Sequence, residues 1–543
     1  MTTGVTTGPA ADERRSWLPM VGLFLGQVLM SFNVAALPVS LGGMVDDFGV
    51  APTVVSSTIV VYGLAVAALV MVGAKLGQRI GWVLIFRFVV ATFGAAAALM
   101  AMSPSIGWAI TAQAVTGASA AIIVPSLVAL IAENYHGAQQ ATAIGSLGSA
   151  RALSGVSAFL IGGALGTLVG WRPVFAIVVV LAVIVFAFSF TLRSDRGDAG
   201  IAIDLVGAVL IGAAVVVLTL GFNNLNSWGV FFADDSAPFE VVGVSPAPVL
   251  IVAGVVLGQA FFLWTRRRVR TGRVPLVDLS VLGRSSERAA VYAMFIVVAL
   301  EAALNFTVPL YIQIVQGRTP FDTSLAMMPF NLTVFVTATL VVRLYGRFSP
   351  RALGMAAFGL TTAALVWLSY VVSNNWETLP TIAGLIAFGI GQGALVTLVF
   401  NVLVTAVPKT LAGDVGSVRG TTQNLASAVG TAVAGALLVT ILSFTLGNAL
   451  AAHDDVPQSI IDRAGLDNAD FVANDQLRET LEGKGATPTE IDAAVSVNED
   501  ARLDTLKFGL LILAAVSATA IIPAGRLPDY RPEEIPDPES ADA

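Results

Sequence analysis

The stretch Ala141–Gly163, ATAIGSLGSARALSGVSAFLIGG, combines the length of a membrane-spanning helix with a charge near its middle. About 20 mainly apolar residues are enough to cross the ~30 Å hydrocarbon core of a bilayer. Arg151 lies inside this stretch, and a charge at that depth usually faces a bundle interior or a water-filled cavity. Gly145, Gly148 and Gly155 allow neighbouring helices to approach closely. We predict a membrane helix beside a gated polar pathway; alternatively, Arg151 caps a buried carbonyl or pairs with one acid.

The composition extends this prediction to the whole chain. Of the 543 residues, 56% are hydrophobic and 12% are charged, whereas soluble domains carry about 25% charged residues. Such a chain is predicted to be an all-α integral membrane protein with many spans. It contains no cysteine and two histidines, which excludes disulfides, thiolate or histidine-rich metal sites and a cysteine nucleophile. We expect no metal ion and no cofactor.

Apolar runs between polar breaks predict fourteen membrane spans, an even number that places both chain termini on one side. On the face that holds the N-terminus, the loops contain 20 lysine and arginine residues, against 6 on the opposite face. Because basic loops remain in the cytoplasm, we expect cytoplasmic termini and a location in the plasma (inner) membrane. The spans are predicted at residues 17–41, 54–73, 82–102, 107–132, 141–166, 173–192, 203–222, 247–265, 287–312, 322–345, 351–372, 379–407, 421–446 and 505–524.

The segments outside the spans differ in character. Segment 1–16 is expected to be cytoplasmic, and segment 525–543, with four prolines and more acidic than basic residues, is typical of a disordered cytoplasmic tail. The basic loop 266–286 anchors the topology or, alternatively, binds acidic lipid headgroups. Segment 447–504 is predicted to be external and acidic, and Thr487-Pro488-Thr489-Glu490 within it is typical of a helix start. It forms either a small helical cap or a solvated loop.

The loop between the second and third predicted spans reads Gly73-Ala-Lys-Leu-Gly-Gln-Arg-Ile-Gly81. It resembles the cytoplasmic loop signature of the major facilitator superfamily, G-x-L-a-D-r-x-G-r-k. In that family the aspartate locks the two halves of the transporter through a charge contact, and Gln78 occupies its position here. A glutamine forms hydrogen bonds but no ion pair, so we expect this gate to be weaker or to use other partners. The gate motif comprises Gly73, Leu76, Gly77, Gln78, Arg79 and Gly81.

Further motifs resemble the fourteen-helix drug/proton antiporter branch of that superfamily in their order and spacing. The resemblance implies two pseudo-symmetric six-helix bundles, residues 17–192 and residues 287–446 with 505–524, and two additional central helices within 203–265. The motifs that carry it are Asn33–Pro38, Gly117–Pro125, Gly162-Gly163, Asp204–Gly207 and Gly416–Gly420.

The same resemblance implies a function. It describes a monomeric secondary transporter of the multidrug-efflux type in the lipid bilayer, which exports lipophilic or amphiphilic small molecules against a proton gradient. The sequence has no G-x-x-x-x-G-K-[ST] loop for ATP, no H-E-x-x-H and no G-x-S-x-G motif, so we expect neither an ATP-driven motor nor an enzyme. We also expect no nucleic-acid partner.

This sequence differs from the drug/proton antiporter branch at positions that the branch uses for proton coupling. The arginine of its fourth span is Gln113 here, the acidic residue of its first span is missing from Leu29–Phe32, and its Gly-Pro is replaced by Ala158-Phe159. Proton coupling through those positions is therefore not implied. Two alternatives stay open: an uptake symporter or uniporter for a small polar solute, and a non-transporting membrane receptor that uses the external insertion.

Glu301 is the best candidate for a proton carrier. It lies about 21 Å from the start of its predicted span, and Arg151 lies about 15 Å from the start of its own, so we name both as proton-coupling candidates. A carboxylate inside an apolar span can take up and release a proton; alternatively, Glu301 is a static hydrogen-bonded acid. The cavity-lining candidates are Asn33, Gln113, Asn305, Phe32, Gln392 and Asn401. The side-chain amides among them can also simply join two helices.

Overall fold

The predicted all-α membrane fold is confirmed by the computed structural model. Within the residues that the structure describes, regular structure is helical except for an isolated antiparallel bridge between Phe232 and Val244. The described residues are 16–50, 52–135, 137–193, 196–225, 228–233, 237–240, 242–312, 320–344, 347–373, 378–405, 411–452, 478, 482–483 and 487–529.

Six helices in the first part of the chain pack against one another. They are α1 (Leu18–Phe48), α2 (Pro52–Ile80), α3 (Trp82–Ala101), α4 (Ile106–Asn134), α5 (Gly137–Leu168) and α6 (Arg172–Phe188). Helix α2 packs along α4, α1 along α5, and α3 along both α4 and α6. We call this group the first bundle.

The next two helices are α7 (Leu205–Asn223) and α8 (Pro246–Arg270), which pack along each other. Helix α7 also contacts α2 of the first bundle. The following helices are α9 (Ser285–Leu310), α10 (Pro320–Leu340), α11 (Pro350–Val371), α12 (Leu379–Thr405), α13 (Ala412–Ala452), α14 (Pro488–Thr519) and the short α15 (Ile521–Ala524). Helices α9 to α14 form the second bundle, in which α9 packs along α13, α12 along α10 and α11, and α14 along α11 and α13.

Helix ends follow local chemistry. The Asp204 side chain accepts a hydrogen bond from the backbone N–H of Gly207 at the start of α7, and Ser245 and Ser349 cap α8 and α11 in the same way. Such caps satisfy N–H groups that the first helical turn leaves unpaired. Gly49 ends α1 in the left-handed conformation, with φ of 61°, which glycine adopts without strain.

Thirteen of the described helices are long and apolar enough to cross a membrane, and they coincide with thirteen of the fourteen predicted spans. The remaining predicted span, 421–446, lies on α13, a helix of 41 residues. That helix begins at Ala412, nine residues before the predicted start. Its first nine residues, Ala412–Gly420, therefore include Arg419, which the sequence predicts in a loop.

The predicted external insertion also has different limits in the structure. Helix α13 continues to Ala452, and α14 begins at Pro488, where Thr487-Pro488-Thr489-Glu490 predicts a helix start. Most of the insertion between them lies outside the described residues, as do segment 1–15 and residues 530–543 of the predicted tail.

Direct contacts join the two bundles. Helix α5 packs along α10 and α12, and α13 packs along α2 and α4. Successive helices alternate in direction, so the end of α2 and the starts of α5, α9 and α13 share one end of the structure. We call it the gate end, because it carries the α2–α3 loop, and we call the opposite end the far end.

Candidate functional site

A buried ion pair joins the bundles at the gate end. Nζ of Lys75, on α2, lies 3.2 Å from Oδ1 of Asp414, on α13. Both side chains are buried, with Asp414 fully so, and the backbone N–H of Asp278 donates to the Asp414 carboxylate at 3.0 Å. A paired charge in such a place is stable only because its partner and hydrogen bonds replace water.

Gln78 belongs to the same contact. Its Oε1 accepts a hydrogen bond from Nζ of Lys75 at 3.1 Å, and its Nε2 donates to Asp414 at 3.4 Å. The gate motif thus contacts the second bundle through Lys75 and Gln78, with the acid supplied by the second bundle instead of by the motif. These contacts are compatible with the expectation that the motif uses other partners, and its role as a gate stays a prediction.

The glycines of the gate motif allow neighbouring parts of the structure to approach α2 closely. A Cβ atom added at Gly73 would lie 2.8 Å from the carbonyl oxygen of Ala121 on α4. Gly81 has a φ of 102°, which a residue with a side chain rarely adopts. Leu76, Gly77 and Arg79 complete the last turns of α2, where Gly77 packs on the Trp82 ring.

The glycines of α5 lie at different distances from the second bundle. A Cβ atom added at Gly145 would lie 2.7 Å from Val342, one at Gly148 would lie 3.3 Å from Thr397, and one at Gly155 would meet only Asn331, at 4.0 Å. Between the first two glycines and Gly155, the hydroxyls of Ser149 and Thr339 lie 2.6 Å apart. The second bundle thus lies closer to α5 at Gly145 than at Gly155, and we call the space between them at Gly155 the cleft.

Arg151 and Glu301 meet at the floor of this cleft. Nη2 of Arg151 lies 3.3 Å from Oε1 of Glu301, with side chains 34% and 19% exposed. The two residues follow the starts of α5 and α9 by 14 and 16 positions, or about 21 and 24 Å. The charges that the sequence placed at similar depth are thus in direct contact across the two bundles.

Asn305 lies on the exposed side of the cleft. It follows Glu301 by one helical turn, so the two side chains share a face of α9, and it is exposed. The other cavity-lining candidates are buried in this conformation. Asn33 and Gln113 are fully buried inside the first bundle, where Nδ2 of Asn33 donates to Oε1 of Gln113 at 3.1 Å, as expected of amides that join two helices. Phe32, Gln392 and Asn401 are also buried.

A small cavity lies just beneath the ion pair, on its gate side. It has room for about one water molecule. Arg419 reaches it from α13, is 4% exposed, and places its Cζ 3.9 Å from the ring centroid of Phe400. Sequence reasoning missed this residue because it assigned Arg419 to a loop; continuing the α13 helix back to Asp414 would have found it. The cavity is lined by Ile144, Gly148, Met294, Val297, Val298, Val396, Thr397, Val399, Phe400, Arg419 and Gln423.

Comparison with protein families identifies the fold. The model of the Major Facilitator Superfamily matches residues 23–431, most of this 543-residue chain. The chain belongs to the Major Facilitator Superfamily. Its members are transporters, so the protein is a multi-pass membrane transporter of small molecules, as the sequence resemblance predicted.

This major facilitator is similar to several named transporters in sequence or in structure. It is 27% identical to the probable actinorhodin transporter of Streptomyces coelicolor, over 83% of this chain and 77% of that protein. It is 25% identical to the multidrug efflux pump LfrA of Mycolicibacterium smegmatis, over 96% of this chain and 97% of that one. The solved human organic anion transporter MFSD10 shares the fold alone, with a TM-score of 0.54 and 12% identity over 92% of this chain and 98% of that one.

Proposed function

We propose that this major facilitator exports lipophilic or amphiphilic small molecules across the plasma membrane by alternating access, driven by a proton gradient. The relatives named as an actinorhodin transporter and as a multidrug efflux pump support the direction and the cargo class. The observation that carries the coupling is the Arg151–Glu301 ion pair, which joins the two bundles at the floor of the cleft.

The proposal assigns the gate end to the cytoplasm. In the sequence prediction the loops of that face hold 20 of the lysine and arginine residues, against 6 on the other face. Arg419, one of the 20, lies within α13, and the remaining asymmetry still favours cytoplasmic termini. With its gate end closed by Lys75 and Asp414, the structure then represents an outward-facing conformation. The transporter acts as a monomer, since each monomer has its own cleft between residues 17–192 and the second bundle.

Proton binding to Glu301 supplies the switch. A proton from outside neutralises the carboxylate and removes its attraction for Arg151, so the bundles separate more easily on the gate side. In the inward-facing conformation Glu301 releases the proton to the cytoplasm, and cargo binds. Re-forming the ion pair closes the gate end again, so one proton enters as cargo leaves.

The free energy of the Arg151–Glu301 ion pair is too small to switch the conformation by itself. Reversing a population from 1:99 to 99:1 requires about 5.5 kcal/mol, whereas partly exposed ion pairs contribute about 0–1 kcal/mol. Arg151 and Glu301 are both partly exposed, so they bias the equilibrium and the remainder must come from cargo binding and the gate contacts.

Flux measurements in proteoliposomes test the function. A fluorescent amphiphile is loaded, and its movement is followed with and without an imposed pH gradient. Export that accelerates when the far side is acidified supports the proposal. Accumulation of a small polar solute in the cytoplasmic direction would support the uptake alternative, and the absence of any movement would support the receptor alternative.

A further inference from the structure

Arg419 is a buried charge for which the proposed coupling has no role. Its side chain is 4% exposed, and its Nε has no hydrogen-bond partner among the described residues. None of the ion pairs in the described part of the chain includes it; its close contact is the Phe400 ring, with Cζ 3.9 Å from the centroid. An unpaired charge in an apolar interior is strongly unfavourable, so a counter-charge is expected in part of the transport cycle.

The position of Arg419 connects it with the transport path. The cavity that it lines is shared by α5 of the first bundle and by α9, α12 and α13 of the second. Gly148 and Val298, which also line it, precede Arg151 and Glu301 by three residues each. The cavity therefore lies about 5 Å, one helical turn, on the gate side of the ion pair, and it opens when the bundles separate at that end.

Among the described residues, the charges around the cavity do not balance. Arg151 and Arg419 contribute two positive charges and Glu301 contributes one negative charge. The nearest acid along α13, Asp414, is already paired with Lys75. The region Leu29–Phe32, where related transporters carry an acid, has none here. One positive charge at the bundle interface is left for a ligand to neutralise.

We propose that Arg419 binds an anionic group, a carboxylate or phenolate, of the transported amphiphile. This inference rests on the proposed function and names the chemical class of its cargo. The guanidinium forms charge-assisted hydrogen bonds with planar anionic groups, Gln423 beside it offers a second donor, and Phe400 holds the guanidinium plane. The cavity admits only about one water molecule in this conformation, so the anion enters from the gate end once that end opens.

Two dyes with the same ring system separate anion recognition from general hydrophobic binding. Fluorescein is an anion at pH 8, and rhodamine 123 is a cation. Binding of each is measured by fluorescence anisotropy to the full chain in nanodiscs of phosphatidylcholine, which lack anionic headgroups, and again in nanodiscs with added phosphatidylglycerol. Export of both dyes is measured in proteoliposomes.

Three variants complete the experiment. Arg419→Gln removes the charge, and Arg419→Lys keeps it without the planar fork. Arg87→Gln is the matched control, since Arg87 also stacks on a phenylalanine, with Cζ 4.5 Å from the Phe190 ring centroid, but inside the first bundle. Thermal unfolding of each variant verifies the fold.

The parent is expected to bind fluorescein at least tenfold more tightly than rhodamine 123. Arg419→Gln should abolish that preference, Arg419→Lys should keep part of it, and Arg87→Gln should keep all of it. Competition by phosphatidylglycerol would identify a lipid headgroup instead of cargo and would overturn the inference. A parent that binds neither dye, or prefers rhodamine 123, would also overturn it. Retained fluorescein preference without any export would contradict the proposed function and support this inference alone.

Discussion

The guanidinium of Arg151 lies 3.3 Å from the carboxylate of Glu301, and this ion pair connects a helix of the first bundle to a helix of the second. Glu301→Gln keeps the size and hydrogen-bonding capacity of the side chain but cannot release a proton. We expect the variant to fold and to bind cargo, while its transport loses the dependence on a pH gradient. Proteoliposome flux with imposed gradients measures this.

A control for that variant lies on the same helix. Glu287 lies at the start of α9, away from the cleft. Its carboxylate accepts a hydrogen bond from the backbone N–H of Arg284, and the glutamine of Glu287→Gln keeps an acceptor there. It should transport with the pH dependence of the parent. If Glu301→Gln does so as well, the proton carrier is another group.

Arg151 and Glu301 should show a measurable but small coupling energy. Since both are partly exposed, a double-mutant cycle with Arg151→Gln and Glu301→Gln is expected to give a coupling of about 0.5–1 kcal/mol in the free energy of unfolding. Arg151→Lys should be only partly impaired in transport, because it keeps the charge and loses the planar fork. Additive effects of the two single changes would show that the contact is not formed in the membrane.

Gln78→Asp should loosen the gate end. The family resemblance alone suggests that an aspartate at position 78 restores a charge contact. In the structure, however, Nε2 of Gln78 lies 3.4 Å from Asp414, and Asp414 already neutralises Lys75. A second carboxylate there would be repelled; a destabilisation of about 1 kcal/mol raises the open population about fivefold.

Thiol labelling reports on this gate without interference, because the chain has no cysteine. Ser417→Cys places one at a fully buried position on α13, beside Val70 of α2. Labelling should accelerate in combination with Gln78→Asp. It should stay unchanged with Asp47→Asn, which disrupts the Arg172–Asp47 contact within the first bundle. Slower labelling in Gln78→Asp would indicate that the aspartate strengthens the lock.

Topology provides the remaining prediction. With 20 basic residues in the loops of one face and 6 in those of the other, a reporter fused after Lys484 should be external. Alkaline phosphatase, active only outside the cytoplasm, is the suitable reporter, and a fusion at the C-terminus should be inactive. The opposite pattern would reverse the orientation and with it the assignment of the gate end.

Hydropathy and local chemistry were sufficient to predict most of the fold. Long apolar runs define the helices, and the proline and capping residues at Thr487–Glu490 predict the start of α14 correctly. The start of α13 was placed too late because its first turns, Ala412–Gly420, are polar. Those turns lie between helices, where Asp414 pairs with Lys75 and Arg419 lies against the Phe400 ring.

The partners within the candidate site were harder to predict. Lys75 and Asp414 are 339 positions apart, and a single sequence carries no signal for such a pairing. Arg151 and Glu301 were found by a simpler argument, since a charge deep in an apolar span requires a partner. The same rule does not identify Arg419, because the predicted span 421–446 begins after it.

The series Gly145, Gly148 and Gly155 has a mechanical consequence. If the bundles rock as rigid bodies about this interface, we expect the looser position at Gly155 to become the tight one when the gate end opens. The Ser149–Thr339 contact between them is then the expected pivot. An added methyl group at either position shifts the conformational equilibrium. At Gly145 it favours the inward-facing state, and at Gly155 it favours the outward-facing state. Alanines at these two positions would tune the resting conformation in opposite senses without touching a charge.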